Sequence, residues 1–479
     1  MKIAKNFIYN TSYQILVLLL PLVTVPYIAR VLGPEGVGAK SYTFSIVQYF
    51  ILIAILGLDA YGIREVAKVK DNRKKLSETF KSLFILRVMT VSVAFILFCL
   101  FMYWNTEFIS LFWIQSLYIV IVASDVAWLF MGLEQFKKIV IRNTITKLAG
   151  LIAIFMFVKQ KEDLPLYIII LIISQVAGQV TLFPYIPKYI DRVKVSYLSV
   201  IKHLKPTLAI FITQLAMQVY LVLNRTLLGI YSTTSEVGIF DSSYKIISIA
   251  LALMTSISTV MLPRISALVS EGEHATVRLF LNRTLSITLL FAVGLMFGIA
   301  GISGNFMGWF LGAGFTGAGS VLVLLTPVIL FLAWGSIIGN QFLLPMNRMR
   351  GYSIAVCSGL FVNVIINVLL IPQYGAQGAA VATSISEGVV LLAMMIIVRE
   401  SLDQWVWLKE LPLLIIAGGV MVSALLVMNK LPIQPVGLTF LQIIVGIGIY
   451  LVILYLFKTK TLNWLLDKIS VVINKRRQK

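Results

Sequence analysis

Long apolar stretches, separated by short polar segments, form the dominant pattern along the chain. A helix that crosses a bilayer needs about 20 mostly apolar residues, and about 14 stretches approach or exceed that length. They lie near 8–29, 40–63, 82–104, 108–131, 144–158, 165–186, 207–229, 238–262, 284–303, 319–344, 353–371, 377–398, 411–429 and 438–457. The pattern predicts an all-α integral membrane protein with about 14 transmembrane helices.

A short motif recurs six spans apart and indicates an internal repeat. Arg30-Val-Leu-Gly33 followed by Val37-Gly38 resembles Arg225-Thr-Leu-Leu-Gly229 followed by Val237-Gly238. Because an even number of spans preserves orientation, the two halves would be parallel repeats with a substrate path between them.

The repeat predicts three parts of the chain. A six-helix N-terminal lobe would occupy residues 1–200, and a six-helix C-terminal lobe residues 201–400. Two additional transmembrane helices and a basic cytosolic tail would occupy residues 401–479.

Composition agrees with a membrane protein. Hydrophobic residues make up 59% of the chain and charged residues 13%, whereas about 25% of an average globular chain is charged. A soluble enzyme, a disordered scaffold and a secreted disulfide module are therefore excluded.

The net charge of +20 reflects membrane topology rather than nucleic-acid binding. With a cytosolic N-terminus, most lysines and arginines fall in cytosolic segments, as the positive-inside rule requires. The exceptions on the outer side are Arg30, Lys40, Lys159, Lys161 and Lys430. We predict a multi-pass protein of the cytoplasmic membrane with both termini in the cytosol.

Residues for bond-making chemistry are scarce. The two cysteines, Cys99 and Cys357, lie in apolar stretches far apart, and the two histidines, His203 and His274, lie in predicted cytosolic loops. These positions give no metal-ligand spacing and no histidine-based triad within the membrane. We predict a transporter rather than an enzyme, with no metal and no cofactor.

Charged residues within the spans are the strongest functional signal. They are costly in hydrocarbon and usually face a cavity. Both predicted halves supply cations: Arg30, Arg87 and Lys147 from the first, Arg225 and Lys245 from the second. We predict a cationic cavity that binds a phosphate or pyrophosphate, which arginine and lysine recognise well.

Alternatives remain for several of these residues. Arg87 and Lys147 lie near span ends, from which a long side chain can reach water. Asp241 and Lys245 are four residues apart, a spacing that permits a simple structural ion pair.

Polar residues inside the spans are candidates for glycan contact or ion coupling. This set comprises Asp125, Asp241, Asn363, Asn367 and Glu387. Asn363 and Asn367 are one helical turn apart and share a face, where they could instead form interhelical hydrogen bonds.

Several motifs resemble those of bacterial polysaccharide repeat-unit flippases (Wzx-type) of the multidrug/oligosaccharidyl-lipid/polysaccharide exporter superfamily. In chain order they are Ala29-Arg-Val-Leu-Gly-Pro-Glu-Gly-Val-Gly38, Gly57-Leu-Asp-Ala-Tyr-Gly-Ile-Arg-Glu-Val-Ala-Lys68, Trp128-Leu-Phe-Met-Gly-Leu-Glu134, Leu262-Pro-Arg-Ile-Ser266, Asn363-Val-Ile-Ile-Asn367 with Ile371-Pro372, and Tyr374-Gly-Ala-Gln-Gly-Ala-Ala380 with Glu387. Together they cover about residues 1 to 400 in the family's order.

The resemblance implies two six-span lobes around a central cavity, with two further spans appended. It also implies export of an undecaprenyl-pyrophosphate-linked oligosaccharide for capsular or exopolysaccharide synthesis. Arg30, Arg64 and Glu387 lie within matched motifs and carry over as site residues. Many relatives have Asp-Lys where this chain has Asn224-Arg225, which puts an acidic coupling residue there in doubt.

The predicted partners are the lipid-linked oligosaccharide, the bilayer, a coupling cation (H+ or Na+) and a polysaccharide polymerase. Two alternatives within the superfamily are a peptidoglycan-precursor flippase and a cation-coupled multidrug exporter, although the cation surplus disfavours the latter. An alternative from another class is a membrane polysaccharide polymerase, which would need larger charged outer loops.

Overall fold

The computed structural model describes residues 2–105, 107–346, 348–400 and 408–477. Every regular element within these ranges is a helix, which confirms the predicted all-α class. Eleven of the described helical segments are long and apolar enough to cross a membrane, so the protein is a multi-pass membrane protein.

The chain forms two compact units, Met1–Gly238 and Ile239–Lys479. The helices of unit 1 are α1 (Lys2–Ile55), α2 (Leu58–Val69), α3 (Arg73–Trp104), α4 (Ile109–Ile121), α5 (Ala127–Gly132), α6 (Phe136–Phe157), α7 (Leu164–Val180), α8 (Tyr197–Ile201) and α9 (Leu204–Tyr231). Helix α10 (Thr234–Ser270) begins in unit 1 and continues into unit 2. Within unit 1, α1 packs against α3, α4, α6 and α9.

Unit 2 contains the remaining helices. They are α11 (His274–Leu311), α12 (Ala318–Leu325), α13 (Pro327–Ser336), a π-helix (Ile337–Leu343), α14 (Met349–Val398), α15 (Leu411–Met428), α16 (Pro435–Leu456) and α17 (Lys460–Arg477). Helix α11 packs against α12, α13, α15 and α16. The predicted lobe boundaries near residues 200 and 400 stay predictions.

Glycines break the two longest helices. Helices α1 and α14 have 54 and 50 residues, whereas a span of about 30 Å needs only about 20. Gly33 has φ 69° and ψ 176°, and Gly375 has φ 50° and ψ −127°. A side chain disfavours such positive φ values, so glycine at these positions lets the helix turn back as two spans.

The observed helices match the predicted apolar stretches. The 50-residue segment Met349–Val398 covers two predicted spans, and Leu20–Val69 covers the predicted second span and the last part of the first. Helix α9 corresponds to the predicted span at 207–229. The total of fourteen spans stays a prediction, and short non-helical turns interrupt some of the predicted stretches, as at residues 56–57 and 125–126.

Helix α17 was not predicted, because the sequence analysis assigned its residues to a basic tail. It follows α16 closely and begins at Lys460. The hydroxyl of Thr461 donates a hydrogen bond to Glu410 Oε2 at 2.6 Å, and the Thr461 N–H donates to Glu410 Oε1 at 3.2 Å. Its mixed polar and apolar sequence lacks the long apolar stretch on which span prediction depends.

Candidate functional site

A half-open cavity of about 540 Å³ lies in unit 1 between α1, α4, α6 and α7, and we call it the polar cavity for the charged and polar residues that share its wall with apolar ones. Its polar or charged lining residues are Thr24, Tyr118, Asp125, Arg142, Asn143, Thr146, Lys147, Ser174, Gln175 and Gln179. Charged side chains within membrane-spanning helices are costly in hydrocarbon and usually face a cavity. We therefore treat this cavity as the candidate functional site.

Asp125 reaches the cavity because the backbone leaves the helix at this point. A 3-10 helix, Val122–Ser124, ends there, and α5 begins two residues later. Asp125 Oδ1 accepts a hydrogen bond from the Ala127 N–H at 2.9 Å, and its carbonyl accepts one from Trp128 Nε1 at 3.0 Å. These bonds hold the predicted acidic residue at the cavity wall.

Helix α6 supplies the cations of the cavity. Lys147, a predicted site residue, lines it directly. Arg142 lines it as well, and its Nη1 donates a 2.8 Å hydrogen bond to the carbonyl of Gly178 on α7. Arg142 is not among the site residues predicted from the sequence. The run Asn143, Thr146 and Gly150 on the same helix is a polar and small-residue stripe that indicates this face.

Two glutamines of α7 complete the polar wall. Gln175 and Gln179, one turn apart, both line the cavity. Gln179 is buried, and its Oε1 accepts a hydrogen bond from the Ser124 hydroxyl at 2.6 Å. Amide and hydroxyl groups beside two cations and one carboxylate suit an anionic ligand that also carries hydroxyl groups.

Arg87 occupies a different environment from the one predicted. It is 1% exposed on α3 and pairs with Asp59 of α2. Its Nε atom is buried without a hydrogen-bond partner in the described part of the chain. The side chain is thus part of the helix packing and does not line the polar cavity.

Two other predicted cations lie on exposed surfaces of unit 1. Arg30 is exposed on α1, three residues before the Gly33 break. Arg64 is exposed on α2, with its guanidinium 5.6 Å from the Tyr61 ring centre and 3.7 Å from Glu65. Arg225 is half-buried on α9.

In unit 2, Lys245 and Asp241 form an ion pair. Lys245 Nζ lies 2.8 Å from Asp241 Oδ2. The Asp241 side chain is 4% exposed, whereas that of Lys245 is 37% exposed. The structural ion pair considered in the sequence analysis is therefore present.

The predicted polar residues of α14 are buried. Asn363 and Asn367 are fully buried, and Asn367 Nδ2 donates a 2.8 Å hydrogen bond to Asn363 Oδ1. Glu387 is 4% exposed on the same long helix, beyond the Gly375 break. Convergence of these groups with the cations of unit 1 on a single cavity stays a prediction.

No group of three or more His, Cys, Asp or Glu side chains within the described ranges is arranged to hold a metal ion.

Comparison with known proteins places the chain in a family. Residues 3–269 match the family model described as polysaccharide biosynthesis protein. A protein of Escherichia coli (strain K12) named as an O-antigen transporter is 25% identical over 416 residues, which cover 84% of this chain and 98% of that protein. A Haloferax volcanii protein named as a flippase of low-salt glycan biosynthesis is 28% identical over 167 residues, 35% of each chain.

Solved structures confirm the transporter fold. The lipid II flippase MurJ in its inward closed conformation has a TM-score of 0.76 at 18% identity and covers 95% of this chain and 98% of its own. An inward-facing multidrug MATE transporter has a TM-score of 0.63 at 13% identity, covering 87% and 98%. At these identities the likeness shows the fold alone.

The relatives are named as transporters and flippases, and the transporter class predicted from the sequence is confirmed. The predicted resemblance to Wzx-type flippases is confirmed as well. The family model matches more than half of the residues of this chain. The chain therefore belongs to the polysaccharide biosynthesis protein family.

Proposed function

We propose that this protein is a flippase for an undecaprenyl-pyrophosphate-linked oligosaccharide repeat unit. It would move the repeat unit across the cytoplasmic membrane by alternating access, in the synthesis of a capsule or exopolysaccharide. Relatives named as an O-antigen transporter and as a glycan flippase support this substrate class.

The observation that carries the proposal is the group of charged and polar side chains that line the polar cavity between the apolar helices of unit 1. Arg142 and Lys147 offer charge-assisted hydrogen bonds to phosphoryl oxygens. Gln175, Gln179 and Asp125 offer donors and acceptors for sugar hydroxyls. A lipid tail would stay in the bilayer while the polar head crosses through such a cavity.

The alternatives receive less support. A multidrug exporter for cationic compounds would require an acidic cavity, whereas the lining contains Arg142 and Lys147 against Asp125. The likeness to the lipid II flippase concerns the fold, so a peptidoglycan precursor as substrate has no separate support. A coupling cation and a polymerase partner stay predictions.

A deletion strain tests the proposal directly. Loss of the gene should cause lipid-linked repeat units to accumulate at the inner leaflet, and the wild-type protein should restore export. Accumulation of peptidoglycan precursors instead would show that the substrate assignment is wrong.

Variants then test the cavity. Lys147→Ala should reduce export about tenfold or more, because a lost charge-assisted contact costs about 1.5–3 kcal/mol. Lys159→Ala is the matched control, since Lys159 lies just beyond the end of the same helix and is exposed outside the cavity. Normal export by Lys147→Ala at normal protein level would remove this cavity from the proposal.

A further inference from the structure

A non-helical segment of unit 1, residues 190–196, is fixed along α3, and we call it the connector. Arg73 Nε donates to the two Asp191 carboxylate oxygens at 3.0 and 2.9 Å. The Asp191 N–H donates to Ser77 Oγ at 2.8 Å, and Lys81 Nζ donates to the Val193 carbonyl at 2.5 Å. The three α3 residues are four apart, so the connector follows one face of this helix.

The connector forms one wall of a second cavity, of about 680 Å³, which we call the connector cleft. Helices α2 and α3 form the opposite wall, and α8 with the residues just before α9 closes the end. This cleft shares no lining residue with the cavity of Asp125 and Lys147.

A buried histidine lines the connector cleft. His203, the residue before α9, is 6% exposed, and its Nδ1 lies 2.8 Å from the Tyr61 hydroxyl. Burial lowers the pKa of His203, so the ring is neutral at neutral pH. Nε2 is buried and has no hydrogen-bond partner among the described residues.

Three lysines from three different elements surround the same cleft. Lys75 belongs to α3, Lys194 to the connector, and Lys202 follows α8. All three are exposed, and none forms an ion pair with any residue that the structure describes. Their convergence suits a phosphoryl group, which ammonium groups bind as point charges.

The remaining polar lining suits hydroxyl groups. Glu65 and Glu78 supply carboxylate acceptors, and Glu65 Oε1 also accepts a hydrogen bond from Lys68 Nζ at 2.8 Å. Ser82 and Ser199 supply hydroxyls that both donate and accept. The cleft thus combines anion recognition with hydroxyl recognition.

We propose that the connector cleft binds a phosphorylated sugar. Lys75, Lys194 and Lys202 contact the phosphoryl oxygens, Glu65 and Glu78 accept hydrogen bonds from sugar hydroxyls, and His203 Nε2 forms a hydrogen bond with the ligand. The choice of a sugar as the phosphoryl carrier rests on the proposed function. Two sources share this chemistry: a soluble sugar phosphate, and the head group of the lipid-linked substrate.

Calorimetry on the full-length protein in phosphatidylcholine nanodiscs tests the site, with glucose 1-phosphate as the probe. Glucose lacks the phosphoryl group and inorganic phosphate lacks the sugar hydroxyls, so each should bind at least tenfold more weakly than glucose 1-phosphate. Lys75→Gln and Lys202→Gln should each weaken glucose 1-phosphate binding severalfold, and the two together at least tenfold. Lys74→Gln is the matched control, since Lys74 is equally exposed on the same turn but does not line the cleft.

Absence of binding to the wild-type protein, or equal weakening by Lys74→Gln, would overturn the proposal. Binding is measured without transport, so failure of the flippase assay leaves this result interpretable, and the reverse also holds. Nanodiscs that contain the lipid-linked glycan identify the source. If the lipid-linked glycan competes with glucose 1-phosphate, the cleft binds the lipid head group. If glucose 1-phosphate binding is unchanged, the natural ligand is a soluble sugar phosphate.

Discussion

Arg87 and Asp59 form an ion pair whose members differ in exposure: the Arg87 side chain is 2% exposed and that of Asp59 is 46% exposed. Loss of one partner of a buried pair costs about 3–5 kcal/mol when the remaining charge stays buried. This cost applies to Asp59→Asn, which leaves Arg87 uncompensated. It applies much less to Arg87→Met, which leaves a carboxylate near solvent. We expect Asp59→Asn to lower the thermal unfolding temperature more than Arg87→Met.

The double variant completes this test. Asp59→Asn with Arg87→Met should unfold at a temperature close to that of Arg87→Met alone, because the buried guanidinium is absent from both variants. If both single variants lost the same stability, the exposure difference would not control the pair. Export measured on the stable variants separates a structural role of Arg87 from substrate binding.

Lys245 gives a second prediction at this scale. Lys245→Ala leaves the buried Asp241 carboxylate without its 2.8 Å ion-pair partner. We expect this variant to lose export, and the double change Lys245→Ala with Asp241→Ala to recover it if Lys245 only balances that charge. A double variant that stays inactive at normal protein level would instead indicate that Lys245 contacts substrate.

These two pairs show what the sequence can reveal about single residues. Asp241 and Lys245 are four apart on one helix, so their contact follows from helical geometry. Asp59 and Arg87 lie on different helices, and nothing in the spacing brings them together. Charge within an apolar stretch identified Arg87 as unusual, but its partner depended on the packing of α2 against α3.

At the scale of helices, the repeated Val-Gly motif marks a close crossing within unit 1. A Cβ atom on Gly38 would lie 1.6 Å from the Thr234 carbonyl oxygen, and one on Gly238 would lie 2.0 Å from the Pro34 carbonyl oxygen. Gly38→Ala or Gly238→Ala must therefore separate the two backbones, and overpacking costs about 1–3 kcal/mol. We expect each variant to lower the thermal unfolding temperature.

Gly419→Ala is the control for these variants. Gly419 lies in α15, and no atom would lie within 4 Å of its added Cβ. It should leave the unfolding temperature near that of the wild-type protein. Unchanged stability in Gly38→Ala and Gly238→Ala would contradict the close crossing.

Element prediction succeeded where hydropathy dominates and failed where it does not. The apolar stretches located the spanning helices, and short glycine-containing segments located the breaks at Gly33 and Gly375. Helix α17 was not predicted because its sequence mixes polar and apolar residues. One cavity residue was not predicted either, since the position of Arg142 depends on a contact with the Gly178 carbonyl that no local pattern encodes.

At the scale of the whole molecule, the charge distribution predicts the orientation of the chain in the membrane. The 40 lysines and arginines outnumber the 20 aspartates and glutamates, and the excess recurs in alternate loops of the predicted topology. Cytosolic loops retain such cations because translocating them is costly. We predict that the cluster Lys68, Lys70, Arg73, Lys74 and Lys75 keeps the loop after the first two spans in the cytosol, and that Lys475, Arg476 and Arg477 do the same for the C-terminal segment.

Reporter fusions test this orientation. A reporter that is active only outside the cytosol, fused after Lys479, should give no signal, because an even number of spans returns the chain to the cytosolic side. The same reporter inserted between Gly314 and Phe315, in the short uncharged segment between α11 and α12, should be active. Comparable protein levels of the two fusions make the comparison valid. An external signal from the C-terminal fusion would contradict both the cytosolic C-terminus and the predicted even number of spans.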